Sequence, residues 1–213
     1  MIKKDFTTNN FVQLLKERNV DLSVSIPAQS GPKLNINPED WYDYIEENFY
    51  QAFTVYWSPR DFLDADSNYQ MSLTRELGLN QGNTLKYDWG KTSKQNTALK
   101  SLLGTENIHR LGFNPDTTLV RLLCYTPGNC LPIHMDGYEG WRKMFNKPNV
   151  MPDRYSVMIS PWHWGHFLQL HDQMLANWEP GDTWIVPNDV WHCSGNSGIL
   201  PKVTLTVTGE KND

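Results

Sequence analysis

The sequence is poor in cysteine and has no long hydrophobic run. Its three cysteines, Cys124, Cys130 and Cys193, are an odd number without C-x-x-C spacing, which fits reduced thiols better than a disulfide framework. No apolar run approaches the roughly 20 residues needed to cross a bilayer. The first residues, MIKKDFTTNN, lack the apolar region of a signal peptide. We therefore expect a soluble, cytoplasmic protein without membrane contacts.

Clustered positive charge is also scarce. The 213 residues include 19 Lys and Arg against 24 Asp and Glu, a net charge of −5. Adjacent basic residues occur only at Lys3-Lys4 and Arg142-Lys143. Because binding to nucleic-acid phosphates requires clustered Lys and Arg, the composition argues against nucleic acid as a partner. It leaves the oligomeric state open.

Hydrophobic periodicity predicts a mainly helical first half, residues 1–115. Helices are predicted at 7–19 (TTNNFVQLLKERN), 37–50 (NPEDWYDYIEENFY) and 94–104 (KQNTALKSLLG). The second opens with Asn37 as a capping residue and Pro38 at the first helical position. The third ends at Gly104, a residue suited to a left-handed cap.

Residues 116–213 instead alternate short apolar segments with Gly, Pro and Asn. Strands are predicted at 117–126, 130–136, 154–160, 166–171, 173–179, 182–187, 190–193 and 202–209. Short strands with tight turns predict an antiparallel double-stranded β-helix, a cupin-like jelly roll. We expect one domain over residues 1–213 of α+β, mainly β, class. Its helical first half would pack on one sheet and residues 116–213 would form the core that carries the site.

The stretch LPIHMDGYEG, residues 131–140, contains a candidate metal-binding pair. In a strand, residues i and i+2 point to the same face, so His134 and Asp136 can reach one ion. Alone, they could equally be polar residues at a strand end. His192 lies beyond intervening strands that could return it to the pair, and together the three match the facial triad of non-haem Fe(II) enzymes. His163 and His166 compete as ligands, although their aromatic neighbours equally suit packing or substrate contact.

The last predicted strand, KVTLTVTG, adds an inward-pointing cation. Its alternation places Val203, Leu205 and Val207 on one face and Lys202 and Thr204 on the other. An ammonium group that points into a barrel is costly unless an anion meets it. The alternative is a solvent-facing lysine on an outer face.

Together these residues resemble the Fe(II)/2-oxoglutarate-dependent oxygenases. The segment YTPGNCLPIHMDG, which begins at Tyr125, resembles the prolyl-4-hydroxylase-like branch. The segment WEPGDTWIVPNDVWHCSGNSG also resembles the aspartyl/asparaginyl hydroxylase-like branch, as does Arg154. Leu131 and Ser156 depart from the tyrosine and histidine that these branches place there, so the sub-branch stays open. The resemblance covers about residues 117–209.

The resemblance implies a hydroxylase that uses Fe(II), 2-oxoglutarate and O2, and produces succinate and CO2. The implied iron ligands are His134, Asp136 and His192. The implied co-substrate contacts are Lys202, Thr204, Arg154 and Tyr125, with the first two on the far carboxylate. The substrate would be a protein side chain, such as prolyl or asparaginyl, or a small molecule. A long segment, residues 137–153, with Arg142 and Lys143, is a predicted lid.

Two other classes of protein remain open from the sequence. One is a cupin-like metalloprotein, a dioxygenase or isomerase, that does not use 2-oxoglutarate. The other is a non-catalytic β-sandwich that serves as a binding module.

Overall fold

Helix α1, Pro38–Glu47, begins where the sequence predicts. The computed structural model describes residues 27–56, 84–188 and 190–212, so the helix predicted at 7–19 lies outside the described residues. Asn37 caps α1 by accepting a hydrogen bond from the backbone N–H of Glu39 at 3.4 Å. Trp41 is 1% exposed and anchors the helix on the core. A short 3-10 helix, Phe49–Gln51, follows.

Two further helices precede the β-core. Helix α2, Ser93–Leu103, ends at Gly104, whose φ of 80° suits glycine but whose ψ of 141° differs from the predicted left-handed cap. Helix α3, Thr105–Arg110, follows directly, and a 3-10 turn, Pro115–Thr117, leads into the first core strand. Within the described ranges, no helix is long and apolar enough to span a bilayer.

The described strands form two antiparallel sheets. They are β1 Phe53–Tyr56, β2 Thr84–Trp89, β3 Leu119–Tyr125, β4 Cys130–His134, β5 Asp153–Met158, β6 His166–Leu170, β7 Gln173–Leu175, β8 Thr183–Ile185, β9 His192–Asn196 and β10 Lys202–Gly209. One sheet has the order β1-β2-β3-β10-β5-β8, and the other has the order β4-β9-β6-β7. From β3 to β10 the chain passes between the two sheets in the order of a double-stranded β-helix, which confirms the predicted fold class.

Strand β10 shows how the helices and the site share one sheet. It lies between β3 and β5. Val203, Leu205 and Val207 are at most 2% exposed and pack in one cluster with Trp41 of α1 and Leu99 of α2. Full burial of such side chains stabilises the fold by about 1.5–3 kcal/mol each. The predicted packing of the helices on one sheet is confirmed, and the polar residues of β10 occupy the opposite face.

Strands β1 and β2 are two elements of the first half that the sequence analysis did not predict. They extend the larger sheet beyond β3. In β2, Lys86 and Asp88 alternate with apolar residues, a pattern that fits a strand with one charged, solvent-facing side. Both charged side chains are nevertheless buried, 8% and 0% exposed, and Asp88 pairs with Arg121 of β3. The strand therefore depends on a tertiary partner that its local sequence does not reveal.

The predicted lid, residues 137–153, contains a packed helix, α4 Glu139–Phe145. Its role as a lid remains a prediction. Trp141 is 1% exposed, and its indole N–H donates to the carbonyl oxygen of Thr117 at 2.8 Å. Arg142 donates to the carbonyl oxygen of Gly137 at 2.8 Å, and Lys143 is exposed. The segment is therefore anchored to the start of β3 through Trp141.

Candidate metal centre

Two neighbouring strands of the smaller sheet supply the predicted metal ligands. His134 ends β4, His192 begins β9, and the two residues are partners in the β4–β9 ladder. Their ring centroids are 4.3 Å apart. Asp136 follows His134 by two residues and therefore lies at the same end of the sheet. Antiparallel pairing thus brings together the three residues that the sequence predicts.

The ligand atoms of this triad converge. Asp136 Oδ1 lies 3.9 Å from His134 Nε2, and Asp136 Oδ2 lies 3.3 Å from His192 Nε2. One ligand atom from each residue falls within 4.8 Å of the others, and no other such group occurs in the described part of the chain. Two imidazole nitrogens and a carboxylate oxygen suit a divalent first-row metal such as Fe(II). The residues present therefore fit the implied ion.

A backbone carbonyl orients His192 for metal binding. His192 Nδ1 lies 3.0 Å from the carbonyl oxygen of Val190. Because a carbonyl oxygen only accepts hydrogen bonds, Nδ1 must carry the proton. The lone pair is then on Nε2, which faces Asp136.

Arg154 holds the carboxylate of Asp136 in its ionised form. Its Nη1 donates to Asp136 Oδ2, and its Nε donates to Thr208 Oγ1 at 2.9 Å. Burial acts to raise the pKa of Asp136, but the positive charge of Arg154 outweighs burial, so the pKa lies well below its ordinary value. Asp136 is therefore available as an anionic ligand at neutral pH.

Tyr138 is a residue of the site that the sequence analysis assigned only to a loop. The Arg154 guanidinium stacks on its ring at 4.5 Å from the centroid. Tyr138 has a φ of 56°, a conformation that non-glycine residues rarely adopt and that clusters at functional sites. The rare backbone conformation next to Gly137 places its ring over Arg154.

A cavity lies in front of the triad, between the two sheets. Its volume is ≈ 520 Å³, including the part that opens to solvent. Besides the triad, its walls include three of the predicted co-substrate contacts: Tyr125, Arg154 and Thr204. Four apolar side chains complete much of the wall: Leu123, Leu131, Leu168 and Val186. The predicted site residues thus share one cavity, with one exception.

The exception is Lys202, which lies behind the wall. It is 0% exposed and does not belong to the described lining of the cavity. Its Nζ donates to the Ser194 hydroxyl at 2.6 Å and to the carbonyl oxygen of Phe167. It also lies 5.2 Å from the ring centroids of Tyr125 and Trp178. Burial lowers the pKa of Lys202 to about 7. Ser194 and Tyr125 line the cavity and separate it from the ammonium group.

The cavity also contains charged residues that the sequence analysis did not select. Lys86 of β2 and Arg121 of β3 line it, and Arg121 Nε donates to Asp88 Oδ1 at 3.2 Å. Burial, reinforced by Arg154, lowers the pKa of Arg121 to about 10. The alternation in TLKYDW was the available signal, because it places Lys86 and Asp88 on one face.

The competing histidines serve other contacts. His166 Nε2 lies 2.8 Å from the carbonyl oxygen of Leu200, and its ring stacks on Trp178 at 6.4 Å between centroids. His163 packs edge-on against His166 at 5.6 Å. His166 is therefore a packing residue that contacts Leu200 and Trp178.

Replacing Arg154 with glutamine should destabilise the metal-free protein and increase its stabilisation by metal. The change leaves Asp136 largely buried without its counter-ion, which costs about 3–5 kcal/mol in fully buried pairs. A divalent ion would then be the main counter-charge. Thermal melts with and without Mn(II) should show a lower Tm for the metal-free variant and a larger upward shift on Mn(II) addition than in the wild type. Equal shifts in both proteins would contradict this role of Arg154.

Comparison with known proteins gives likeness in structure only. No family model and no curated protein matches the sequence. A non-heme alpha ketoglutarate dependent epimerase from nogalamycin biosynthesis is 8% identical, with 96% of this chain and 82% of that chain covered and a TM-score of 0.49. A prolyl-4-hydroxylase from Pseudomonas putida is 16% identical, with 80% and 99% covered and a TM-score of 0.36. A DMSP lyase from Ruegeria pomeroyi is 12% identical, with 97% and 93% covered and a TM-score of 0.34.

The solved structures that resemble this chain include an alpha ketoglutarate dependent epimerase and a prolyl-4-hydroxylase. They also include a lyase, so they do not select one enzyme class. Strand order and site geometry define the protein more closely. It is a double-stranded β-helix protein with a candidate centre of two histidines and one carboxylate.

Proposed function

We propose that this protein is an Fe(II)- and 2-oxoglutarate-dependent oxygenase that hydroxylates a C–H bond of a protein side chain or a small molecule. The observation that carries the proposal is the convergence of His134, Asp136 and His192 at the wall of a cavity with cationic and apolar sides. Three protein ligands on one side of an ion leave positions open for a co-substrate and oxygen. When bound, iron with 2-oxoglutarate and O2 supplies the oxidant for C–H hydroxylation, with succinate and CO2 as co-products.

The protein residues would hold and orient the reactants. His134, Asp136 and His192 would bind the iron, and the contacts of His192 to Val190 and of Asp136 to Arg154 would fix the orientation of these ligands. The apolar wall would exclude water from the cavity. Exclusion of water strengthens each electrostatic interaction there.

Lys202 and Thr204 would bind the far carboxylate of 2-oxoglutarate. Lys202 is a buried ammonium group that contacts no carboxylate of the described residues, so an incoming carboxylate would supply its missing counter-charge. Thr204 is 3% exposed and already lines the cavity. Burial raises the pKa of Tyr125, so its phenol stays protonated and can donate a hydrogen bond. For Lys202 to reach the carboxylate, the contact between Lys202 and Ser194 would have to open.

One observation favours a second candidate, a cupin-like metalloprotein that does not use 2-oxoglutarate. Lys202 has two hydrogen-bond acceptors of its own and lies behind the cavity wall. If it keeps these contacts, the metal centre would act without the proposed carboxylate contact. The two candidates differ in their response to 2-oxoglutarate.

An anaerobic absorbance titration tests the proposal. Addition of Fe(II) and then 2-oxoglutarate to the apo-protein should produce a visible metal-to-ligand charge-transfer band. The band should be absent in His192→Ala, should require at least about 10-fold more 2-oxoglutarate in Lys202→Ala, and should persist in His163→Ala. The factor corresponds to one charge-assisted contact of about 1.4 kcal/mol. Binding of Fe(II) without a band would favour the cupin-like alternative, and failure to bind Fe(II) would exclude both.

A further inference from the structure

One wall of the cavity carries charges that neither the metal centre nor the predicted co-substrate contacts use. Lys86 and Asp88 lie on the same face of β2, and Arg121 lies on the adjacent strand β3. Lys86 and Arg121 both line the cavity that contains the triad. The charges of these two residues therefore act on any molecule that enters the cavity.

Arg121 is already neutralised. Its Nε donates to Asp88 Oδ1 at 3.2 Å, and its Nη2 donates to Asp88 Oδ2. These two hydrogen bonds make the pair a two-point contact, and the Asp88 side chain is 0% exposed. The second pair of the cavity, Arg154 with Asp136, is neutral as well.

Lys86 is a third cationic residue of the cavity lining, besides Arg121 and Arg154. Its side chain is 8% exposed, and no acceptor or carboxylate among the described residues contacts it. Burial and then Arg121 lower its pKa well below the ordinary value, and Arg154 acts in the same direction. Asp136 opposes this effect but is engaged with Arg154. A buried ammonium group among other cations is unfavourable unless an anion binds there.

Lys86 differs from Lys202 in its position relative to the cavity. Lys202 lies behind the wall and donates to Ser194 and Phe167. Lys86 lies in the wall itself, and hydroxyl groups of Ser156 and Thr206 line the same cavity. A hydroxyl group of the lining can donate to an anion that enters the cavity.

We propose that Lys86 is the cation of a second carboxylate-binding subsite in this cavity, separate from Lys202. Its ligand is one carboxylate group of a small molecule. Under the proposed function, the carboxylate belongs either to 2-oxoglutarate or to the substrate that is hydroxylated. Only this identification of the carboxylate rests on the proposed function. The subsite itself requires no metal.

Calorimetric titration with glutarate tests the subsite. Glutarate carries two carboxylates but lacks the keto group that would chelate a metal. Metal-free wild type should bind it, and Lys86→Met should bind it at least about 10-fold more weakly, the loss expected for one charged contact. Lys94→Met, which changes an exposed lysine of α2, should behave as the wild type does. If the wild type binds no glutarate, or Lys86→Met binds it equally well, the inference is overturned.

A second titration identifies the source of the carboxylate. If Lys86→Met weakens 2-oxoglutarate binding to the Mn(II)-loaded protein, the subsite serves the co-substrate. If it leaves 2-oxoglutarate binding intact but prevents glutarate from binding to the complex of protein, Mn(II) and 2-oxoglutarate, the subsite serves the substrate. Lys86-dependent glutarate binding without a charge-transfer band would retain the subsite and reject the proposed oxygenase.

Thermal stability separates this role from a structural one. A lysine that only supports the fold loses contacts when replaced, so its loss lowers the Tm. An unpaired cation held for a ligand destabilises the empty protein, so Lys86→Met should raise the Tm of the ligand-free protein by about 2–4 °C. A lower Tm would overturn the inference.

Discussion

Asp136→Asn is expected to abolish metal binding and to destabilise the protein at the same time. The change replaces an anionic ligand of the triad with a neutral amide. Loss of a residue that only hydrogen-bonds to a metal ligand already lowers metal affinity by about 10–100-fold. Loss of the ligand itself should therefore lower the metal affinity by more than about 100-fold. It also leaves Arg154, whose side chain is 11% exposed, without its counter-ion. Removal of one partner of a buried pair costs about 3–5 kcal/mol, and residual exposure of this pair favours the lower end.

A double-mutant cycle separates these two effects. Asp136→Asn combined with Arg154→Gln should regain part of the free energy of unfolding, because no charge is left unpaired. It should regain no Mn(II) affinity, because the introduced glutamine supplies no ligand to the triad. His163→Ala is the matched control and should leave the Mn(II) affinity unchanged, since His163 contacts His166 instead of the triad. Calorimetry with Mn(II) and thermal melts measure the two quantities on the same samples.

Unchanged Mn(II) affinity in Asp136→Asn would show that the carboxylate belongs to a structural ion pair. The triad would then be the polar strand end that the sequence also allowed. Stability that falls without any loss of metal binding would point the same way. If Asp136→Asn keeps both the Mn(II) affinity and the stability of the wild type, Asp136 is neither a metal ligand nor part of a stabilising ion pair.

The core of the fold was predictable because its signals are local. Strands β3 to β10 each combine a short apolar run with turn residues at its ends, and β10 alternates cleanly between Val203, Leu205 and Val207 and its polar residues. Alternation in TLKYDW permits strand β2, but burial of its charged residues Lys86 and Asp88 has no local explanation. It depends on Arg121 and on the cavity, which exist only once the sheets have formed.

The candidate site was predictable to a similar extent. His134 and Asp136 share a face by strand spacing, and the ladder of β4 and β9 places His192 beside them. The partner of Arg154 could not be derived, because Asp136 follows the smaller sheet whereas Arg154 lies on the larger one. The alternation of β10 correctly predicted that Lys202 points inward. It could not show that Ser194 and Tyr125 would separate its ammonium group from the cavity.

Lys202→Met should make the free energy of unfolding less dependent on pH. Burial lowers the pKa of Lys202 to about 7, from an ordinary value of 10.5. Between these two values the unfolded chain binds a proton at this group and the folded protein does not. Stability of the wild type therefore rises with pH across that interval, by up to about 1.4 kcal/mol per pH unit from this group. Below about pH 7 the full penalty of a buried charge remains.

The methionine variant removes this penalty and the functional contact together. Denaturant unfolding from about pH 6, one unit below the lower value, to about pH 10, close to the upper value, should show that the variant is more stable at low pH and that the two proteins converge as the pH rises. The lowered pKa of Lys86 adds a similar dependence to both proteins, so only the difference between them reports on Lys202. Parallel curves would mean that Lys202 keeps its ordinary pKa in the folded protein.

The same variant connects stability to the proposed co-substrate. A carboxylate beside Lys202 would favour the charged amine and raise its pKa again, so 2-oxoglutarate binding near pH 8 should take up a proton. Calorimetry of the Mn(II)-loaded protein in buffers with different ionisation enthalpies measures this uptake. Lys202→Met should bind 2-oxoglutarate at least about 10-fold more weakly and without proton uptake. Loss of uptake in Lys86→Met instead would transfer the carboxylate contact from Lys202 to Lys86, the cation that already faces the cavity.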